Sequence, residues 1–240
     1  MTAVALIGCD GAGKTTIAEM LASRSPFPTR YVYMGVNAAS SNISLPTTRL
    51  VYEMKVRKVR RDRREAGRDV EAPVSLHGLE HRRYDRGRVW AAARLFNRLA
   101  EESLRLAVSM WYQARGYVVI YDRHFLFDYG ASSRVSDRIH RWFLEKVYPT
   151  PDLVLFLDAP PETLFERKPE FPITYLEQRR NAYLRRGRSV SRFETVDATQ
   201  SLDNVYEDVV SRVVVLLDAS DGRRSARRPH ERSNEDSGSR

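Results

Sequence analysis

Short, unbroken apolar runs alternate along the chain with longer stretches of helical period. "TAVALIG" (2–8), "RYVYMG" (30–35), "YVVIYD" (117–122), "DLVLFLD" (152–158) and "RFETVDA" (192–198) each read as a strand. Runs this short and this apolar belong to strands covered on both faces. "KTTIAEMLASR" (14–24) puts Ile17, Met20 and Leu21 on one helical face and ends before Ser25-Pro26. A long amphipathic helix is predicted over 88–115, stopped by Gly116. Further helices are predicted over 133–148, from Pro160-Pro161, over 173–186, and from a Ser201 cap to about Leu217. Residues 36–47 read as loop, and a charged helix is expected over 49–64. Strand and helix in alternation imply a three-layer α/β/α fold around a five-stranded parallel sheet, one domain over 1–218. Ser, Arg, Gly and Glu dominate 219–240, so a disordered tail is expected there.

Composition narrows the class. The hydrophobic fraction of 42% is ordinary for a globular protein. The single cysteine, Cys9, excludes an internal disulfide framework and fits a reducing compartment. No signal peptide or membrane span is read in the chain, so a cytoplasmic protein with no membrane partner is expected. The net charge of +9 is concentrated in "KVRKVRRDRREAGR" (55–68), with eight Lys/Arg against two Asp/Glu. A local excess without interleaved aromatic residues argues against nucleic acid as the partner. It reads first as a solvated helix, with a cover over a phosphate-rich site as the alternative.

"GCDGAGKT" (8–15) fits G-x-x-x-x-G-K-[ST], with a strand before and a helix after. Gly11 and Gly13 let the backbone curl so that successive N–H groups face phosphate oxygens. The next helix adds its unpaired amides and positive dipole end. Lys14 is suited to the β and γ oxygens, and Thr15 to Mg²⁺. Gly8, Asp10, Gly11, Ala12, Gly13, Lys14, Thr15 and Thr16 are the ATP-binding candidates. The guanine-reading Asn-Lys-x-Asp motif of switch GTPases is missing, as is a transporter-type L-S-G-G-Q segment. Cys9, near a helix start, raises a redox switch as a minor alternative to an incidental loop residue.

Asp122-Arg123-His124 closes the third strand. Ligands of open α/β sheets sit beyond the carboxyl ends of strands. Asp122 is therefore placed to hold the metal's waters or a substrate hydroxyl, and Arg123 to face a second anion; a surface ion pair is the plain alternative. Arg167, Lys168, Arg179, Arg180, Arg185, Arg186 and Arg188 form a late basic group. Such groups either stabilise a transferring phosphoryl from a closing segment or simply solvate a helix.

"GCDGAGKTT", "YVVIYDRH", "PDLVLFLDAPPETLFER" and "VDATQSLDNVYEDV" together resemble, in order and spacing, the landmarks of thymidylate kinases among the P-loop nucleoside monophosphate kinases. The resemblance spans about residues 3–217 and fits poorly over 36–87. It implies a P-loop kinase fold using ATP and Mg²⁺, with a nucleoside monophosphate, dTMP first, as acceptor. It implies that Asp10 bonds the acceptor sugar, Asp122 acts near the metal with Thr15, and Arg123 grips the acceptor phosphate. On the long helix it maps an acceptor arginine to Arg98 first and Arg94 second. Where some members carry a loop arginine this chain has Gly11, so charge is expected from a lid over about 167–188, Arg167 first and Arg179 and Arg180 behind it. Family members are often dimers, so a homodimer is also expected. Two segments depart from the family: "MGVNAASSNISLPT" after the second strand, and "FLFDYGASS" after Arg123. In the latter, Phe125, Phe127, Asp128 and Tyr129 are candidates for a base pocket that is not evidently thymine-specific. Another nucleotide or a different small molecule remains an alternative acceptor, and a nucleotide-dependent nucleic-acid-binding protein is the alternative of another class.

Overall fold

The computed structural model describes residues 2–35, 42–65, 88–128 and 135–226. Five strands, β1 (Thr2–Gly8), β2 (Thr29–Tyr33), β3 (Val118–Asp122), β4 (Leu153–Asp158) and β5 (Phe193–Asp197), form one parallel sheet in the order β2-β3-β1-β4-β5. Helices flank the sheet, giving the three-layer α/β/α fold of a P-loop kinase type. The central strands are apolar because both faces are covered: Val4, Leu6, Val119, Ile120, Val154 and Leu155 are wholly buried. Truncating one of these to alanine would cost about 2–5 kcal/mol.

The helices are α1 (Lys14–Arg24), α2 (Pro46–Glu65), α3 (Arg88–Ala114), α4 (Phe125–Asp128), α5 (Val135–Val147), α6 (Pro161–Arg167), α7 (Ile173–Gly187) and α8 (Leu202–Ala226). Pro46 opens α2, as a ring that fixes φ and lacks an N–H is tolerated in a first turn. Helix α3 ends in a paired cap around Gly116: its amide reaches the Gln113 carbonyl at 3.0 Å, and that of Tyr117 reaches Tyr112 at 3.1 Å. Helix α2, holding most of the basic run, buries none of its residues and pairs Arg57 with Glu53 and Arg61 with Glu65. That is a solvated helix, the first of the two readings; residues 66–68 lie outside the described ones. Helix α8 continues to Ala226, past the boundary expected at residue 218, and 227–240 lie outside the described residues.

The strand order places the site. The chain leaves β1 for β2 on one side and later reaches β4 on the other, so β1 lies between β3 and β4. In register, Leu6 faces Asp122 and Gly8 faces Leu157. The carboxyl ends of β1, β3 and β4 therefore bring the glycine-rich loop, Asp122-Arg123 and Asp158 to one edge, where ligands of such sheets gather.

Candidate active site

The glycine-rich loop runs from Gly8 to Lys14, and Gly13, in left-handed conformation, precedes the first turn of α1 without a side-chain cap. The amides of that turn thus face the loop's concavity unscreened by a capping oxygen. Lys14 is buried and its Nζ donates to the Cys9 carbonyl at 2.7 Å; Ala12 N closes the loop on the same carbonyl at 3.2 Å. Gly11 has φ +90, and a β-carbon there would stand 2.8 Å from the Leu164 carbonyl oxygen. Only a glycine lets the loop pass this close to α6. Thr15 and Thr16 are exposed at its rim.

Asp122 is wholly buried at the end of β3. Its Oδ2 accepts from Thr15 Oγ1 at 2.7 Å and from Tyr31 Oη at 3.1 Å, while Oδ1 is buried without a hydrogen-bond partner. A carboxylate oxygen left unpaired beside a threonine hydroxyl is a donor set suited to a hard divalent cation, so these residues fit Mg²⁺. Burial and the Asp122 charge together push the Tyr31 phenol up, so Tyr31 stays a hydrogen-bond donor.

Arg123 stands at φ +68, in the left-handed region that a non-glycine residue occupies at a cost of roughly 1–2 kcal/mol. Its amide is held by the Leu6 carbonyl at 3.0 Å, and its Nη2 meets Asp10 Oδ1 at 2.6 Å. The turn thereby aims the guanidinium back over the loop. Burial alone would raise the Asp10 pKa, but Lys14, Arg123 and Lys168 together outweigh it and hold the carboxyl below its usual range. His124 is buried between Tyr121 and Phe125, with ring centroids at 5.8 and 4.5 Å, and burial lowers its pKa to about 3. It is a neutral core residue at the aromatic place of the motif.

The remaining expected residues divide. Arg98 pairs with Asp137 of α5 at 3.4 Å. Arg94 and Asp128 have side chains outside the described set, as does Tyr129 altogether. Phe127 is in the core rather than on a pocket wall: it packs on Tyr183 and Phe193, because α4 starts at once after Arg123 and turns it inward. Phe125 is likewise buried, against Tyr148. Arg167 does not point at the loop: its guanidinium donates to the Ala198 carbonyl at 2.7 Å and to that of Thr199 at 3.5 Å. Most of the segment expected to form a lid is helix α7, which buries Leu176, Tyr183 and Gly187 and whose Arg180 meets Asp158 in a two-pronged contact at 2.6 and 2.7 Å. Arg179 lies over the Tyr183 ring. Lys168 adjoins the loop with its β-carbon, 3.5 Å from the position a β-carbon would take on Gly11, while its Nζ pairs with Glu170 at 3.3 Å. Cys9 is no redox candidate: burial raises its thiol to about 11 against the pull of Lys14 and Arg179, and Sγ faces the Leu176 carbonyl at 3.6 Å.

Two contributors were not among the expected residues. Tyr31 looks like any strand aromatic, whereas Asp158 was findable as an acidic residue at a strand end by the same logic as Asp122; Lys168 was already part of the late basic group. Among the described residues no helix is long and apolar enough to cross a membrane.

No family model matches the chain. Among curated proteins it is similar to the probable thymidylate kinase of Archaeoglobus fulgidus, 31% identical over 103 residues. The match covers 39% of this chain and 52% of that protein, so it spans about half the length of that relative.

Proposed function

We propose that the protein is an ATP- and Mg²⁺-dependent kinase that transfers the γ-phosphoryl of ATP to a nucleoside monophosphate, with dTMP first among acceptors. The observation that carries this reading is the convergence on one loop of an anion cradle, a metal-type pair and a guanidinium: the uncapped α1 start, Thr15 with Asp122, and Arg123 with Asp10. The half-length similarity to a probable thymidylate kinase supports it.

In this reading the loop amides and Lys14 hold the β and γ phosphates. Thr15 and Asp122 hold Mg²⁺, which supplies neutralisation of the phosphate oxygens. Asp10 accepts from an acceptor hydroxyl, and Arg123 offsets the acceptor phosphate charge. An acceptor phosphate oxygen forms the new bond to the γ phosphorus as the bridging bond to ADP breaks. Lys168, beside Gly11, adds positive charge where charge spreads over the transferring group. Arg167 lies against the loop that begins α8, whose Leu202 side chain is 3.6 Å from a β-carbon built on Gly13; this wall serves the donor nucleotide.

Burial of Phe125 and Phe127 favours an acceptor panel wider than dTMP. The test measures ADP release with MgATP and a panel of nucleoside monophosphates, nucleosides and small phosphate esters. A monophosphate giving stoichiometric diphosphate product is the expected result, and Lys14→Ala lowers turnover by about two to three orders of magnitude. Turnover on a non-phosphorylated acceptor alone would replace the monophosphate reading.

A further inference from the structure

Arg105, on the inner face of α3, is nearly inaccessible, with its side chain 5% exposed. It is held by two carboxylates on its own helix, Glu101 at 2.8 Å and Glu102 at 3.6 Å. Thr48 of α2 donates to Glu101, and Tyr148 at the end of α5 donates to the Glu102 carbonyl at 2.7 Å. The guanidinium is thus held by carboxylates of α3, one of them braced from α2, on a helix whose main chain is tied to the end of α5. Its other donors go to main chain beyond β2: Nη1 to the Gly35 carbonyl at 3.4 Å and Nε to the Ile43 carbonyl at 3.3 Å. Asn42 adds to the same tie, giving Nδ2 to the Tyr31 carbonyl and accepting from the Tyr33 amide.

Gly35 in turn presses on the proposed acceptor arginine. A β-carbon built there would run into the Tyr33 ring and lie 2.9 Å from Arg123 Cδ. The bare Gly35 backbone is therefore a wall against the aliphatic stem of Arg123. The far end of that stem carries the guanidinium seated on Asp10 at 2.6 Å. Arg105 spends its donors on protein oxygens, so any action on a ligand runs through what it holds.

We propose that Arg105 is a positioning residue for the acceptor phosphate: it holds the Gly35 backbone against Arg123 and so fixes the Arg123 guanidinium beside Asp10. The inference rests on the kinase reading of this site and adds to it a residue that touches neither nucleotide.

Calorimetry on the full chain tests it, titrating dTMP and MgATP separately into wild type, Arg105→Met, Arg105→Lys and Gly35→Ala, with the KM of each substrate measured in parallel. Misplacing a binding group by about 1 Å costs up to about a hundredfold. Arg105→Met is expected to weaken dTMP about tenfold or more while MgATP changes by less than about twofold, with the acceptor KM rising and the ATP KM constant. Gly35→Ala, whose β-carbon meets the Tyr33 ring and then the Arg123 stem, should give the same split, and the double variant should be little worse than the weaker single one. Should Arg105→Met fail to fold, Arg105→Lys and Gly35→Ala carry the same comparison. Unchanged dTMP binding in the Arg105 variants, or parallel loss of both ligands, overturns the inference. A wild type that binds MgATP but neither dTMP nor any other monophosphate overturns the kinase reading itself, and this inference with it.

Discussion

Gly11 and Gly13 share a left-handed backbone but not a neighbourhood, and the pair separates two penalties. At Gly13 (φ +83) the nearest atom to an added β-carbon is Leu202 Cδ2 at 3.6 Å, an ordinary contact. Gly13→Ala therefore carries the backbone cost alone, about 1 kcal/mol. At Gly11 (φ +90) the same backbone cost applies, and the new β-carbon also stands 2.8 Å from the Leu164 carbonyl oxygen. That oxygen belongs to the main chain of α6 and accepts from Lys168 N at 2.9 Å, so no side-chain rotation relieves the contact. Overpacking of this kind adds about 1–3 kcal/mol. Gly11→Ala should therefore cost roughly 2–4 kcal/mol against about 1 for Gly13→Ala. For a chain of this size each kcal/mol lowers Tm by about 2–4 °C. Thermal melts of the two variants should separate by roughly 2–12 °C. Added MgATP should raise the Gly11→Ala Tm less than it raises that of wild type, because α6 and Lys168 are pushed off the loop. Equal melting of the two variants would refute the argument, as would a Gly11→Arg protein as stable as wild type.

Arg123→Met should raise the acceptor KM and cut kcat/KM by about two orders of magnitude while leaving MgATP affinity close to wild type, checked by steady-state kinetics and calorimetry. Asp158→Asn should free Arg180 and loosen α7, lowering Tm by a few degrees for a partly exposed pair valued at about 1 kcal/mol. Stability should fall on acidification from below pH 6.5, because His124 and His140 titrate near 3 and 4 when folded and near 6.5 when unfolded. The unfolded state binds more protons across that window, so each histidine contributes a loss of up to about 1.4 kcal/mol per pH unit. Urea melts from pH 7.5 to 5 measure the slope, which His124→Phe should reduce.

The central strands β1, β3 and β4 were legible because a parallel sheet covered on both faces leaves little but apolar residues in them, whereas the edge strands β2 and β5, which carry Arg30, Glu194 and Asp197, were legible from their β-branched and aromatic residues and their place in the alternation. Helix ends marked by proline or glycine were also legible, at Ser25-Pro26 and Gly116. Pro46 gave an equally good start signal for α2, but the start was expected three residues later at Arg49. Helix α8 ran past its expected end because polar composition near Asp218 resembles that of a tail and carries no period. The nucleotide loop and Asp122-Arg123 were legible as motifs whose spacing encodes their geometry. Side-chain direction was not. Arg167 sits in the last turn of α6 and faces the Ala198 carbonyl, whereas its neighbour Lys168 sets its β-carbon against Gly11 and pairs its Nζ with Glu170. Phe127 follows Arg123 closely in sequence, yet the four residues of α4 turn it into the core. Arg105 gave no signal, since its partners Gly35 and Ile43 are about sixty to seventy residues away and meet it only in the fold.

The central claim is that the loop between β1 and α1 binds a magnesium nucleotide through its amides, Lys14, Thr15 and Asp122. Titrating MgATP into this chain by calorimetry tests it most directly, with Lys14→Ala and Asp122→Asn beside wild type. The account predicts one binding event per chain in wild type, strongly weakened by Lys14→Ala and made insensitive to magnesium by Asp122→Asn. Absence of binding heat in a folded wild-type protein, or equal affinity in all three, would contradict it.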